Sequence, residues 1–285
     1  MSRVTLSVVV PAYNEERYIR KCLSTLAHNR EWIDEVVVVD NNSTDRTRDI
    51  AMLFRDRFEK FAVISEQTPG VVHARNAGFN ATSGDIIARV DADTIVGNSW
   101  ARAIHEFFRE QPGYAAVTGL SYLYESPVAG LQRTIFDRFS RRWRSKGSRP
   151  VVVLSGANMA IRRSAWETVE NSTAVSRDVH EDVDLSLCLL KHGFQLGQAA
   201  DMLLSVSGRR GNSSLKDYLS YTRATKRTFV RHGHDYLGLR LLLIANMLVH
   251  AIFLPLYKSH SSISRIRGLG GGARALPVGD RDSTM

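Results

Sequence analysis

Cysteine is scarce in this chain: Cys22 and Cys188 are the only two in 285 residues. They lie far apart, each in a helix-like pattern, which excludes a disulfide framework and a cysteine zinc site and leaves buried, reduced thiols. No internal repeat is present, so a solenoid is excluded. A basic stretch followed by an apolar one is missing at the start: Met1 leads straight into a strand pattern, and the expectation is a catalytic part facing the cytoplasm. No known nucleic-acid-binding motif occurs, although the net charge is +9 and the isoelectric point about 9.8. An excess of that sign points to an anionic partner: nucleic acid, an acidic membrane surface or a phosphorylated substrate. With 44% hydrophobic residues the chain can bury a full-sized core.

The first hundred residues alternate short apolar runs with helical periodicity. Residues 6–10 form a β-branched run ended by Pro11, and 15–27 carry Tyr18, Ile19, Cys22, Leu23 and Leu26 at helical spacing. Residues 36–39 form a second strand that ends in Asp40, followed by cap chemistry and a helix expected through Phe58. Strands over 61–64 and 85–90 follow, with helices over 72–81 and 99–109. Strands that are apolar throughout imply a mostly parallel sheet covered by helices on both faces. Ligands of such sheets bind at the carboxyl ends of the strands. The second half is less regular. Residues 114–124 read as a strand kinked at Gly119, 151–154 and 158–161 as short strands, 181–192 as a helix and 195–206 as extended. A polar loop over 207–214, a basic helix over 215–232 and an apolar helix over 237–257 complete the pattern. From Lys258 onward the Ser-, Gly- and Arg-rich sequence reads as a disordered tail.

The strand ends carry the candidate chemistry. Asp91 and Asp93, separated by Ala92, can reach one hard cation if the backbone turns there, or simply serve as a solvated turn and cap. Asp40 can accept from a nucleobase or ribose, since Ser43 or Thr44 supplies the helix cap. In Pro11, Ala12, Tyr13 and Glu15, the tyrosine can stack on a base, while Glu15 bonds to a ligand or favours the helix dipole. Arg75 lies early in a helix near a strand-end crevice, where it can contact a ligand or form a surface ion pair.

Four segments in this order, VVVPAYNEE (8–16), VVVDNNSTD (37–45), GVVHARNAG (70–78) and GDIIARVDAD (84–93), resemble the family 2 glycosyltransferases of the GT-A fold. The resemblance covers roughly residues 4–210. It implies an inverting enzyme that takes a sugar from a UDP- or GDP-sugar, with Mn²⁺ or Mg²⁺ on the diphosphate. Asp40 would then bind the base, Pro11 to Glu15 would line the nucleoside site, Asp93 would hold the metal and Asp91 the ribose or the metal shell. Asn41 and Asn42 depart from the family's usual Asp-Gly or Asp-Asp and leave the base open. Glu181 and Asp182 resemble the family's Glu-Asp pair, with Asp182 the candidate general base and Glu181 the second choice. Arg209 and Arg210 would close over the diphosphate. Gly156 and Asn158 match a segment on the acceptor side, the glycine letting backbone approach the sugar and the asparagine serving the acceptor or the structure.

The resulting division is a catalytic domain over 1–214, a basic helix and an apolar membrane-associating helix over 215–257, and a tail over 258–285. Residues 241–257, free of Asp, Glu, Lys and Arg, would form a helix of about 25 Å at ~1.5 Å per residue, short of the ~30 Å hydrocarbon core; extension back to Leu237 reaches that length but adds Arg240, and with Asn246, His250 and Pro255 inside the stretch an interfacial, re-entrant, subunit-contact or spanning helix all fit. Basic and aromatic residues over 136–149 suit an anionic membrane surface. A lipid-linked or glycan acceptor at the cytoplasmic face of the membrane is the matching expectation, with no nucleic-acid partner. A sugar-nucleotidyltransferase ranks low, because the place of its Gly-rich, basic phosphate loop holds Tyr13, Asn14, Glu15 and Glu16. A non-catalytic nucleotide-sugar-binding protein is the other alternative, against which Asp91, Asp93 and Asp182 all stand.

Overall fold

The structure is a computed structural model that describes residues 3–144, 148–176 and 178–266. The N-terminal half runs β1 (Leu6–Ala12), α1 (Ile19–Ala27), β2 (Glu35–Asp40), α2 (Thr47–Met52), β3 (Lys60–Ser65), α3 (Val71–Ala81), β4 (Ile86–Val90), β5 (Ile95–Val96) and α4 (Trp100–Glu110). Then follow β6 (Tyr114–Tyr124), α5 (Ala129–Arg144), β7 (Arg149–Pro150), β8 (Asn158–Arg162), α6 (Arg163–Val169), α7 (Glu181–Lys191), β9 (Gln195–Ser207), α8 (Leu215–Arg231) and α9 (Leu237–Ile266). All the strands join one sheet in the order β3-β2-β1-β4-β8-β6-β9-β5, with β7 on β9. The run β3 to β4 is parallel, whereas β8 pairs antiparallel with both β4 and β6.

Alternation along the strands builds two cores. Leu6, Val8 and Val10 of β1 and Val36 and Val38 of β2 face one side, packed with α1 and α4. Val9, Val37 and Val39 face the other, packed with α3, α6 and α7. Each such side chain contributes about 1.5–3 kcal/mol on leaving water, so both faces must stay covered. With the register fixed, Ala12 stands opposite Asp40, and the ends of β1, β2 and β4 open at one edge.

The kink expected at Gly119 is real and has a packing cause. The β6–β9 register shifts between Thr118 and Leu120, and a Cβ on Gly119 would overlap the Met202 carbonyl and the Asn158 side chain. Asn158, fully buried, fills the break: its amide donates to Leu120 O and Met202 O, and its oxygen accepts from Trp100 Nε1 at 2.9 Å. It therefore braces the sheet and has no exposed atom to offer an acceptor.

Several boundaries differ from expectation. The second helix ends at Met52 and gives way to a 3-10 turn, Arg55–Arg57. Residues 151–154 form no strand, because Val151 N bonds to Leu196 O while Leu154 N turns to Ser186 Oγ. The short helix α6 falls where no helix was expected. Beyond Lys258, read as tail, α9 continues to Ile266; the rest of that tail, and much of the basic-aromatic stretch after Phe136, lie outside the described side chains.

Candidate active site

The loops after β1 and β2 are laced together. Asn14 takes a left-handed conformation (φ 53°), and its carboxamide accepts from Thr44 N at 2.8 Å. Asn14 N donates to Ser43 Oγ, Glu15 N to Thr47 Oγ1 and Glu16 N to Asp45 Oδ2. Asp45 bonds to Thr47 N and Oγ1 and so serves the start of α2, where Ser43 or Thr44 was expected. Asp40 is consequently not left without work: Oδ1 accepts from Ser43 N at 3.1 Å, while Oδ2 lies 4.0 Å from Arg48. Asn41 ties this edge to the loop before α3 through Glu66 O, Thr68 O and Gly70 N. Pro11 and Tyr13 are half-buried at the edge; Ala12 and Ala92 are buried in the core, so only their backbones reach the cleft.

Beside this edge the 3-10 turn Gly208–Asn212 brings in Arg209. Its guanidinium lies between two carboxylates, bonded to both oxygens of Glu15 and 3.0 Å from Asp93 Oδ2. The same group stacks over the Tyr18 ring at 5.0 Å. Burial pushes the Asp93 carboxyl up to about 7; Arg209 draws it down, and the charges of Asp91 and Glu15 raise it further. Burial likewise raises Glu15 against the pull of Arg209. One guanidinium thus leaves this carboxylate group short of positive charge. Tyr124, whose hydroxyl donates to Asp93 O at 2.7 Å, fixes the backbone of the turn after β4.

A second cluster lies behind Asp91. Arg89, inside the otherwise apolar β4, donates to Asp91 Oδ1 at 3.0 Å and to Glu181 Oε1. Arg75 has no exposure; it bonds to Glu181 Oε2 at 3.3 Å and to the Glu181 carbonyl at 2.9 Å. Arg75 is thus neither a surface ion pair nor part of the cleft wall, and it acts through Glu181. Glu181 in turn is the buried anion between two arginines. Removing it takes the carboxylate partner from buried Arg75 and one of two from Arg89, which costs ~3–5 kcal/mol. Glu181→Ala is expected to lose about that much in urea unfolding; a loss under ~1 kcal/mol would show that the triad does not hold the site.

Asp182, its neighbour, points the other way. Its side chain is 26% exposed, and Oδ2 accepts from Gly156 N at 3.0 Å. Burial would raise its carboxyl, but the His180 ring 3.8 Å away, the Gly156 amide and the charge of Arg89 hold it well below the usual carboxylate range. Gly156 is required for packing, since a Cβ there would press on the Arg89 guanidinium. Asp182 lines a cleft of about 340 Å³ with Thr118, Ser155, His180, Gln198 and Tyr221. Arg210 lies 4.9 Å over the Tyr221 ring, on this side and not with Arg209. Arg89, His180, Tyr124 and Tyr221 were not singled out from sequence. Only Arg89 carried a signal, a lone cation in a buried strand.

A different trio, Asp184, Cys188 and His232, has donor atoms within 4.8 Å of one another. Asp184 already accepts from Ala174 N and pairs with His232 Nε2 at 2.9 Å, which ties α7 to the end of α8.

The sequence profile described as Glycosyl transferase family 2 matches residues 7–169. The chain is 27% identical over 202 residues to the probable glycosyltransferase YdaM of Bacillus subtilis, covering 67% of this chain and 48% of the relative. It is 27% identical over 188 residues to glycosyltransferase AglE of Haloferax volcanii, covering 61% and 59%. The chain thus spans about half the length of these relatives. Among solved structures it is similar to the mannosyltransferase PcManGT of Pyrobaculum calidifontis, in complex with GDP-Man and Mn²⁺ (TM-score 0.62, 19% identity, 98% of this chain and 78% of that one). It is also similar to TarS of S. aureus in complex with UDP-GlcNAc (TM-score 0.59, 17% identity, 93% and 84%). With a mixed sheet of GT-A type and the family profile matched over more than half its length, the chain belongs to glycosyl transferase family 2.

Proposed function

We propose that this protein transfers a glycosyl group from a nucleoside diphosphate sugar to an acceptor hydroxyl, with inversion at the anomeric carbon. The observation that carries the reading is the Arg89 bridge from Asp91, in the turn that also holds Asp93, to Glu181, which precedes Asp182 at the start of α7. One side is suited to a cation and a diphosphate, the other to proton removal. The complexes of the two structural neighbours, with GDP-Man and Mn²⁺ and with UDP-GlcNAc, are consistent with a nucleotide-sugar donor.

Asp93 and Asp91 would hold Mn²⁺ or Mg²⁺: the carboxylates are hard oxygen donors, and the raised Asp93 carboxyl marks a surplus of negative charge. When bound, the ion would neutralise charge on the diphosphate. Tyr13 and Asp40, at the ends of β1 and β2, would meet the nucleoside. Arg209, held between Glu15 and Asp93, would turn to the diphosphate as its charge grows. At the other side, the acceptor oxygen attacks the anomeric carbon and its proton passes to Asp182, while the bond to the diphosphate breaks and the nucleoside diphosphate leaves.

The lining of the Asp182 cleft favours a hydroxyl acceptor over a phosphate. Thr118, Ser155, Gln198 and Tyr221 offer neutral hydrogen-bonding groups, and a phosphate would face the Asp182 charge. A glycan or lipid-linked glycan fits that lining, at the cytoplasmic face of a membrane if α9 associates with it. The deciding test is calorimetric titration with UDP- and GDP-sugars in Mn²⁺ and in EDTA. One donor is expected to bind at least about tenfold more tightly with Mn²⁺, a gain of ~1.4 kcal/mol. Absence of binding by either donor type would overturn the reading.

A further inference from the structure

We propose that α9 lies in the plane of an anionic bilayer surface and that its docking there steadies the turn carrying Arg209. The inference rests on the membrane association in the reading above. It begins with the two faces of α9. Leu239, Leu243, Met247, His250, Leu254 and Tyr257, three or four residues apart, form one buried or half-buried row against the protein. Away from it Leu241, Leu242, Ile244, Leu248, Val249 and Ile252 are between 53% and 73% exposed. Such a helix has protein on one side and needs an apolar medium on the other.

The stretch Leu237–His260 is long and apolar enough to cross a membrane, but its inward contacts favour lying flat. His250 bonds to Ser213 O at 3.0 Å and stacks on Tyr218, with ring centroids 3.8 Å apart. Crossing would carry that carbonyl and the start of α8 to the depth of the hydrocarbon, where exposed polar backbone is costly. Lying in the interface keeps both rows satisfied. Charge selects the occupant: Lys216, Arg223 and Lys226 are exposed on α8, which packs along α9, and the chain carries a net charge of +9. A surface of anionic lipid headgroups complements that sign.

The coupling to the site runs through Tyr257. Its ring covers Gly211, where a Cβ would overlap it, and its hydroxyl is 3.2 Å from Ser126 Oγ. Ser126 in turn packs on Gly208, again leaving no room for a Cβ. The turn Gly208–Asn212 is therefore held between the end of β6 and α9, with Arg209 projecting from it to Asp93. Tyr257 is a positioning residue for that arginine.

The test combines co-sedimentation and hydrogen exchange on the full chain, with vesicles of phosphatidylcholine alone or with phosphatidylglycerol. Binding is expected only to the anionic vesicles, and to fall about tenfold or more in Leu248→Gln/Ile252→Gln, which alters exposed positions. On those vesicles, amides 208–212 are expected to exchange about tenfold more slowly. Tyr257→Ala and the milder Tyr257→Phe should keep vesicle binding but lose that slowing. Binding without slowing would overturn the coupling and leave the membrane reading standing. No binding, including the case in which the outer row instead mediates self-association, would overturn both. Protein that resists alkaline carbonate would be spanning, which overturns the in-plane placement. None of these readouts depends on the nucleotide titration, so failure of the transferase reading remains separate.

Discussion

Asp182→Asn is expected to lower turnover about a thousandfold, within the ~10²–10⁴ range of a positioned general base, while leaving metal-dependent donor affinity within about twofold of wild type. The division follows from placement. Asp182 lines the cleft with Thr118, Ser155 and Tyr221, whereas Asp93 lies outside that lining and pairs with Arg209. Its carboxyl is held well below the usual range, so it is ionised throughout the neutral range. Asparagine keeps the size and can still accept from Gly156 N, but it cannot take the proton of an attacking hydroxyl. The measurement is kcat and donor affinity on the same preparation. Equal losses in both would mean that the substitution had disturbed the Arg89–Glu181 cluster. Unchanged kcat would remove Asp182 as base and would fit an acceptor that arrives already ionised.

The parts of this site that were legible in sequence are those governed by local rules. A β-branched run must bury both faces, so β1, β2 and β4 and the polar residues at their ends could be placed from pattern alone. What stayed hidden depends on partners far along the chain. Arg75 resembles a surface residue of an exposed helix; its partner Glu181 is 106 positions away, and only folding shows that the pair is buried. Glu181 and Asp182 were recognised together, but which one faces the cleft depends on how α7 starts against Gly156 and Arg89. Asp40 looked unoccupied because its bond to Ser43 N needs a turn that composition does not encode. Residues 151–154 are apolar enough for a strand, yet their amides are met one at a time by Leu196, Ser186 and, next in sequence, Thr118. The docking of α9 on the Arg209 turn is of the same kind: the helix is plain in sequence, and its seat is not.

Asp93→Asn is expected to abolish metal-dependent donor binding, lower turnover about a thousandfold and at the same time raise stability at pH 8 in EDTA. The first two effects follow from the proposed role of Asp93 as an anionic ligand of an ion whose charge stabilisation would be worth several kcal/mol, on the order of 10³ in rate. The third follows from proton linkage. The folded carboxyl titrates near 7 against an ordinary 3.8, so the folded state holds its proton more tightly than the unfolded chain. That contribution is fully present below the ordinary value and is lost as pH rises through about 7. Above it, folding must carry an ionised carboxylate that burial and the charges of Asp91 and Glu15 oppose. Each pKa unit corresponds to ~1.4 kcal/mol, but asparagine still buries a polar amide, so a gain of about 1–2 kcal/mol is expected. The gain should shrink as pH falls to about 5, where the native aspartic acid is neutral in the fold. Thermal or urea unfolding at the two pH values reads it directly. Asp93→Asn that keeps Mn²⁺-dependent donor binding would assign the ion to Asp91 alone, whereas a variant destabilised at pH 8 would mean that the ion pair with Arg209 outweighs the repulsion around it. A carboxylate group that is costly to hold without a cation is what a chain selected for the proposed function would retain at the expense of stability.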